Sequence, residues 1–124
     1  MFVSDGILIT KAELARITEI ARLPLRRVLF TMLCLAKYYN QRRGKNDNSV
    51  FLDTKTIFAL SNTSMTAARR LEAVIILRES GLIEPLVNDI TNRGHRVVFA
   101  ESANAEDAEL VITSMSDLGY QYER

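Results

Sequence analysis

The middle of the chain alternates apolar and polar positions in a way that predicts one strand and two helices. Residues 50–52 form a short apolar run, which predicts a strand. Apolar side chains then recur at helical spacing over residues 53–60 and again over residues 64–80, and this predicts two helices. The polar residues 61–63 between them predict a turn.

Particular residues predict where these two helices begin and stop. Asp53 is a good N-cap for the first helix, because its carboxylate can accept a hydrogen bond from a backbone N–H of the first turn. Ser64, or Thr63 beside it, is expected to cap the second helix. Gly81 supplies the left-handed residue with which helices often end.

Two short strands are expected after Gly81, joined as a hairpin. The first strand starts at residue 82, and Pro85 marks it as an edge strand or as interrupted. The second strand covers residues 96–99, and residues 88–94 form the loop between the strands.

The N-terminal third predicts two helices in succession. Thr10 and Glu13 have the spacing of a capping box, so a helix is expected over residues 11–21. Pro24 ends this helix and opens the next one. The second helix has so many apolar positions that more than one of its faces is expected to be covered, either as the central helix of the domain or within a dimer contact.

Residues 40–49 are predicted to form a surface loop, because they are polar and contain no apolar residue. The loop carries Arg42, Arg43 and Lys45, three cations that either contact phosphates or are simply solvated.

The charge of the chain is divided along its length. The chain has 124 residues, enough for one domain. Its formal net charge is only +1. Residues 1–100 hold fifteen Lys and Arg against nine Asp and Glu, whereas residues 101–124 hold one against six. A basic body is compatible with nucleic-acid binding.

In the acidic tail, residues 110–112 predict a strand beside the hairpin or on another subunit, and residues 116–119 predict a turn.

Catalytic chemistry is hard to place on this sequence. The only histidine is His95, in the predicted hairpin, and the only cysteine is Cys34, in an apolar helix. No carboxylates are paired, and no glycine-rich phosphate motif is present. We therefore expect no enzyme, no catalytic residue, no metal and no cofactor. The single cysteine and the absence of a long apolar run favour a cytoplasmic protein with no membrane contact.

Three fragments together resemble winged helix-turn-helix regulators of bacterial or prophage type. The run TIFALSNTSMTAARRL at residues 56–71 is followed by LRESGLI at residues 77–83, an ending typical of the helix before the wing. The fragment LFTMLCLAKY at residues 29–38 also resembles small helix-turn-helix proteins and, more distantly, winged domains of primosome-loading proteins. The resemblance covers roughly residues 24–99.

This resemblance implies a mainly α (α+β) fold in three parts. Residues 1–23 would be an N-terminal strand and helix extension, residues 24–100 the winged helix-turn-helix domain with its small β-hairpin wing, and residues 101–124 an acidic tail, with a possible added strand. The implied function is sequence-specific binding of double-stranded DNA by a homodimeric transcriptional regulator.

The expected DNA-binding residues lie on the second helix of the motif and on the wing. The major groove of B-DNA, about 12 Å wide, admits a helix whose first turns protrude. Arginine can bind guanine there or pair with a phosphate. The residues expected in the major groove are Ser64, Thr66, Arg69 and Arg70. Those expected at the flanking backbone or minor groove are Arg93, His95 and Arg96.

Winged domains also serve as protein-docking modules, because a fold alone does not fix a function. In that alternative, the apolar second half of the long helix and the acidic tail would bind a protein partner, as in a replication or anti-defence adaptor. An enzyme with a substrate between subunits has almost no support among the residues.

Overall fold

The computed structural model describes residues 2–86 and 94–123, the first four as backbone only. The expected α+β class is confirmed. Over the described residues, no helix has the length and apolar character needed to cross a membrane. The elements are β1 (Phe2–Thr10), α1 (Lys11–Ile17), α2 (Leu23–Arg43), β2 (Ser49–Val50), α3 (Thr54–Leu60), α4 (Ala67–Glu79), β3 (Ile83–Pro85), β4 (His95–Val97), β5 (Ala108–Ser114) and α5 (Leu118–Glu123).

Two small antiparallel sheets flank the helices. In the first, β2, β4 and β3 lie side by side in that order, with Val50 opposite His95 and Ile83 opposite Val97. In the second, β1 pairs with β5. The strand predicted at residues 110–112 therefore exists, but it pairs with the N-terminal strand rather than with the hairpin.

The capping box predicted at Thr10 and Glu13 is confirmed, because both reciprocal hydrogen bonds form. The helix is shorter than predicted and ends at Ile17. The Thr18 hydroxyl donates to the carbonyl oxygen of Ala15 at 2.7 Å, and a threonine that bonds the preceding turn in this way favours the end of a helix.

Helix α2 is the central helix of the fold. Phe30, Leu33 and Cys34 on one side and Val28 and Leu35 on others are all buried, so of the two alternatives for this helix the central position is confirmed. The helix also runs further than predicted, to Arg43, where Gly44 adopts a left-handed conformation (φ +64°) and ends it. The first four residues of the predicted loop are therefore helical.

Helices α3 and α4 are both found, but the predicted start of α4 is corrected. Asp53 caps α3 as predicted, and Gly81 is left-handed after α4 as predicted. Helix α4 begins later than expected, at Ala67, and its cap is Thr66 rather than Ser64 or Thr63. Thr66 itself is still extended, and its hydroxyl accepts from the N–H of Arg69, so the helix can begin only after it.

The C-terminal segment belongs to the same folded body. The last two residues of the predicted turn, Leu118 and Gly119, begin α5 instead, and Leu118 is fully buried. The Tyr122 ring lies 5.1 Å from the Phe30 ring of α2, and Glu123 pairs with Arg27. The acidic tail therefore packs on α2 and adds a helix to the fold.

Candidate nucleic-acid interface

Helix α3, the turn after it and the first residues of α4 together present a basic surface, here called the corner (residues 54–71). This stretch contains Lys55, Arg69 and Arg70 and no acidic residue. Ile57 and Phe58 anchor α3 in the core, so the opposite side of the helix, with Lys55, faces solvent. The positive end of the α4 dipole adds to the same potential.

One group of polar and cationic side chains lies on the α3 side of Met65. Lys55, Ser64 and Arg70 line a common shallow depression there. The Arg70 guanidinium donates to the Met65 carbonyl oxygen at 2.8 Å and is half-buried. Arg70 therefore contributes charge to the depression while being held against the backbone.

A second group lies on the other side of Met65. Arg22, from the start of α2, and Arg69 line a small cleft that also includes Glu72. Arg69 is exposed, and its backbone N–H donates to the Thr66 hydroxyl that caps the helix. Four cations thus line the two clefts beside the first turn of α4, together with the carboxylate of Glu72.

The rest of the solvent face of α4 is unlike the corner. Ala73, Val74 and Leu77 are buried on one side of the helix, but Leu71, Ile75 and Ile76 are 40–63% exposed. Within one chain, this half of the helix is therefore covered on one side only. Glu72 and Glu79 are exposed on the same face, and a carboxylate there opposes DNA phosphates.

The three residues predicted to lie on the wing have different outcomes. His95 is fully buried, and its Nε2 atom lies 2.9 Å from an Arg78 guanidinium nitrogen. A side chain with no exposed surface cannot reach DNA, so the prediction for His95 is wrong. Arg96 is exposed as expected, but its guanidinium forms a 2.6 Å ion pair with Glu84 on the neighbouring strand. Arg93 lies outside the described residues, as do all of residues 88–93 of the predicted loop.

The structure therefore brings together only part of the predicted set. Ser64 and Arg70 share one depression, Thr66 and Arg69 lie at the start of α4, and Arg96 is on β4. Sequence reasoning missed Lys55 and Arg22. Lys55 follows an N-cap and lies on the exposed side of a predicted helix, and this position could have identified it from the sequence. Arg22 is distant in sequence from α4, so no local pattern points to it.

The described residues contain no group of three or more His, Cys, Asp and Glu side chains placed to hold a metal ion. Cys34 is completely buried in α2, and burial raises the pKa of its thiol. A buried thiol that stays protonated is a poor nucleophile.

Comparisons of this chain with protein-family models, with curated proteins and with solved structures give no match.

Proposed function

We propose that this protein is a winged helix-turn-helix protein that binds double-stranded DNA through the corner. The order α2, β2, α3, α4, β3, β4, with β4 between the other two strands, supports the winged helix. The observation that carries the function is the group of four cations around the exposed first turn of α4. A fold of this kind suits a small regulator, and we propose transcriptional regulation by a cytoplasmic homodimer as its role.

Phosphate contact is the main source of affinity in this proposal. Lys55 and Arg69 are exposed and can each neutralise a phosphate, with release of condensed counterions. The free N–H groups at the start of α4 are further donors for phosphate oxygens.

Base reading is limited to the first turn of α4. Arg69 is long enough to reach guanine in the major groove, and Thr66 lies one turn before it. Further along the helix, Leu71 and Glu72 offer no donor to a base edge. We therefore expect modest sequence preference and a large contribution from the DNA backbone.

A salt titration with a charge-matched control tests the proposal. Binding of a fluorescent duplex should weaken steeply with salt, and Arg69→Ala should lower the slope of log K against log salt by about 0.9, the value for one lost phosphate contact. Arg16→Ala removes the same charge from exposed α1 and should leave the slope unchanged. No binding at low salt, or equal effects of the two changes, would refute binding at the corner.

A second candidate function, docking of a protein partner, is favoured by the exposed α4 face. Leu71, Ile75 and Ile76 present apolar surface there, and Glu72 and Glu79 add negative charge. A face of this composition fits an amphipathic helix with basic residues at its edges. A second copy of α4 fits less well, because it would bring more carboxylates to the same surface.

This candidate is tested with an amphipathic Leu/Lys model peptide, titrated and followed by calorimetry. Ile75→Ser should weaken binding at least tenfold, as expected for removal of an interface anchor. Val111→Ser, which alters an exposed apolar residue on β5, serves as the control. Equal affinity for both variants would remove the α4 face as a docking site.

A further inference from the structure

An aromatic and cationic cluster lies where α2 ends and β2 begins. The guanidinium carbon of Arg43 is 5.7 Å from the centre of the Tyr39 ring and 5.8 Å from the centre of the Phe51 ring. Both distances fall within the range of about 6 Å for cation–π contacts. Arg43 also donates to the Ser49 carbonyl oxygen at 3.2 Å and pairs with Asp47 at 3.3 Å. Arg43 therefore contacts both rings as well as Ser49 and Asp47.

Phe51 leaves most of its surface open to solvent. It is 58% exposed, whereas Val50 before it is buried in the core. Exposed apolar residues are common, so exposure alone identifies no ligand. A ring that is exposed and also contacts a neighbouring cation is different, because a flat aromatic group can stack on its open surface and the ring has only two rotatable side-chain bonds to order.

The segment that precedes the ring is basic, whereas Asp53 follows the ring two residues later. Residues 38–52 contain three cations, Arg42, Arg43 and Lys45, against one acid, Asp47. Arg42 and Lys45 are exposed. An exposed aromatic ring in a segment that also carries exposed cations combines the two features by which proteins bind single-stranded nucleic acid, namely base stacking and attraction of the backbone.

The register of the three-stranded sheet places this cluster on the hairpin side of the molecule. Ser49 lies opposite Arg96 and Val50 lies opposite His95, so the chain leaves β2 toward Gly94. Phe51 is the next residue in that direction. It also immediately precedes Leu52 and Asp53, which lead into the first helix of the corner.

We propose that Phe51 stacks an unpaired nucleobase and that Arg42 and Lys45 contact the adjoining phosphates, so that the chain has a second site, for single-stranded nucleic acid. This site uses none of the cations of the corner. It therefore goes beyond duplex binding and does not depend on it. Two sites of this kind would suit a nucleic acid in which a duplex adjoins an unpaired segment.

The absence of tryptophan from the sequence allows a direct test. Phe51→Trp introduces a single indole at the site, and stacking of a base should quench its fluorescence on addition of short oligo(dT) or oligo(rU). Tyr120→Trp is the matched control, because Tyr120 is equally exposed, at 56%, but lies on α5 near acidic residues. Quenching of the first variant alone supports the site, and equal or absent quenching overturns it.

Affinity provides the second measurement. Stacking on one aromatic ring is worth about 1–3 kcal/mol per base, so Phe51→Ala should weaken oligo(dT) binding by roughly 5- to 150-fold. Phe51→Tyr keeps a stacking surface and should retain binding. Unchanged affinity in Phe51→Ala would overturn the proposal. Arg69→Ala should leave this affinity unchanged, so failure of the duplex proposal and failure of the stacking proposal give different results.

Discussion

At the scale of residues, a buried ion pair joins three distant parts of the chain. The Lys37 ammonium on α2 donates to Oε1 of Glu13 at 2.6 Å, and Glu13 is fully buried in this pair. The Glu13 carboxylate also accepts from the backbone N–H groups of Thr10 at 2.8 Å and Glu101 at 2.9 Å. The Glu13 carboxylate of α1 is thus satisfied by donors from the end of β1, from α2 and from the segment before β5.

Removal of one partner of this pair should be costly, since the other partner is left as an uncompensated buried charge. We expect Lys37→Met to lower the free energy of unfolding by about 3–5 kcal/mol. Arg16→Met breaks the exposed Arg16–Glu19 pair instead and should cost less than about 1 kcal/mol. Urea denaturation of both variants measures the difference. Similar losses in the two would contradict a structural role for the buried pair.

Contacts between individual residues could be predicted from the sequence where the two residues are close in the chain. The reciprocal bonds of Thr10 and Glu13 span three positions, so spacing alone predicts them. The bond from Lys37 spans 24 positions, and the sequence contains no signal for it. The prediction for His95 failed for the same reason, because its neighbour Arg78 lies on a different element.

At the scale of elements, the start of α4 decides which side chains the corner presents. The Thr66 hydroxyl accepts from the N–H of Arg69 at 3.3 Å and ends the extended segment before the helix. Ser64 is exposed and lies two residues earlier, outside the helix. The order of polar residues in the sequence allowed either serine or threonine to be the cap.

Alanine substitutions distinguish the two assignments. Loss of an N-cap typically costs about 1 kcal/mol, so Thr66→Ala should lower the free energy of unfolding by roughly that amount. Ser64→Ala should change it by less than about 0.5 kcal/mol, as for an ordinary surface position. Chemical denaturation measures both. The reverse order of effects would restore Ser64 as the cap.

The sequence predicted the positions of helices and strands better than it predicted which strands pair. Helical periodicity located α2, α3 and α4, because each buries one stripe or more against the core. The predicted strand within residues 110–112 was found, but its pairing with β1 joins opposite ends of the chain and has no local signal. Helix α5 was missed because its six residues are too few to display a period.

At the scale of the whole molecule, the C-terminal helix packs directly against the turn of the corner. A Cβ atom added to Gly119 would lie only 1.7 Å from the Ser61 carbonyl oxygen. Two hydrogen bonds join the same surfaces, because the Asn62 side chain donates to Asp117 at 3.1 Å and accepts from the N–H of Tyr120 at 3.2 Å. The acidic tail therefore helps to hold the basic corner in place.

Gly119→Ala should disrupt this contact. Backbone atoms at Ser61 cannot yield easily, so we expect a loss of about 1–3 kcal/mol or more in the free energy of unfolding, as for other overpacked sites. Tyr120→Ala changes an exposed neighbour on the same helix and should cost less than about 0.5 kcal/mol. Thermal or urea denaturation compares the two. An unaffected Gly119→Ala variant would contradict the close packing of α5 on the corner.

The measurement that tests the central claim most directly is an amide shift map of the 14.0 kDa chain titrated with a short DNA duplex. If duplex DNA binds the corner, the largest shifts should fall on residues 54–70, with Arg69 among them, and should diminish at high salt. Shifts confined to the exposed α4 face beyond Leu71, or no shifts at low salt, would contradict the account.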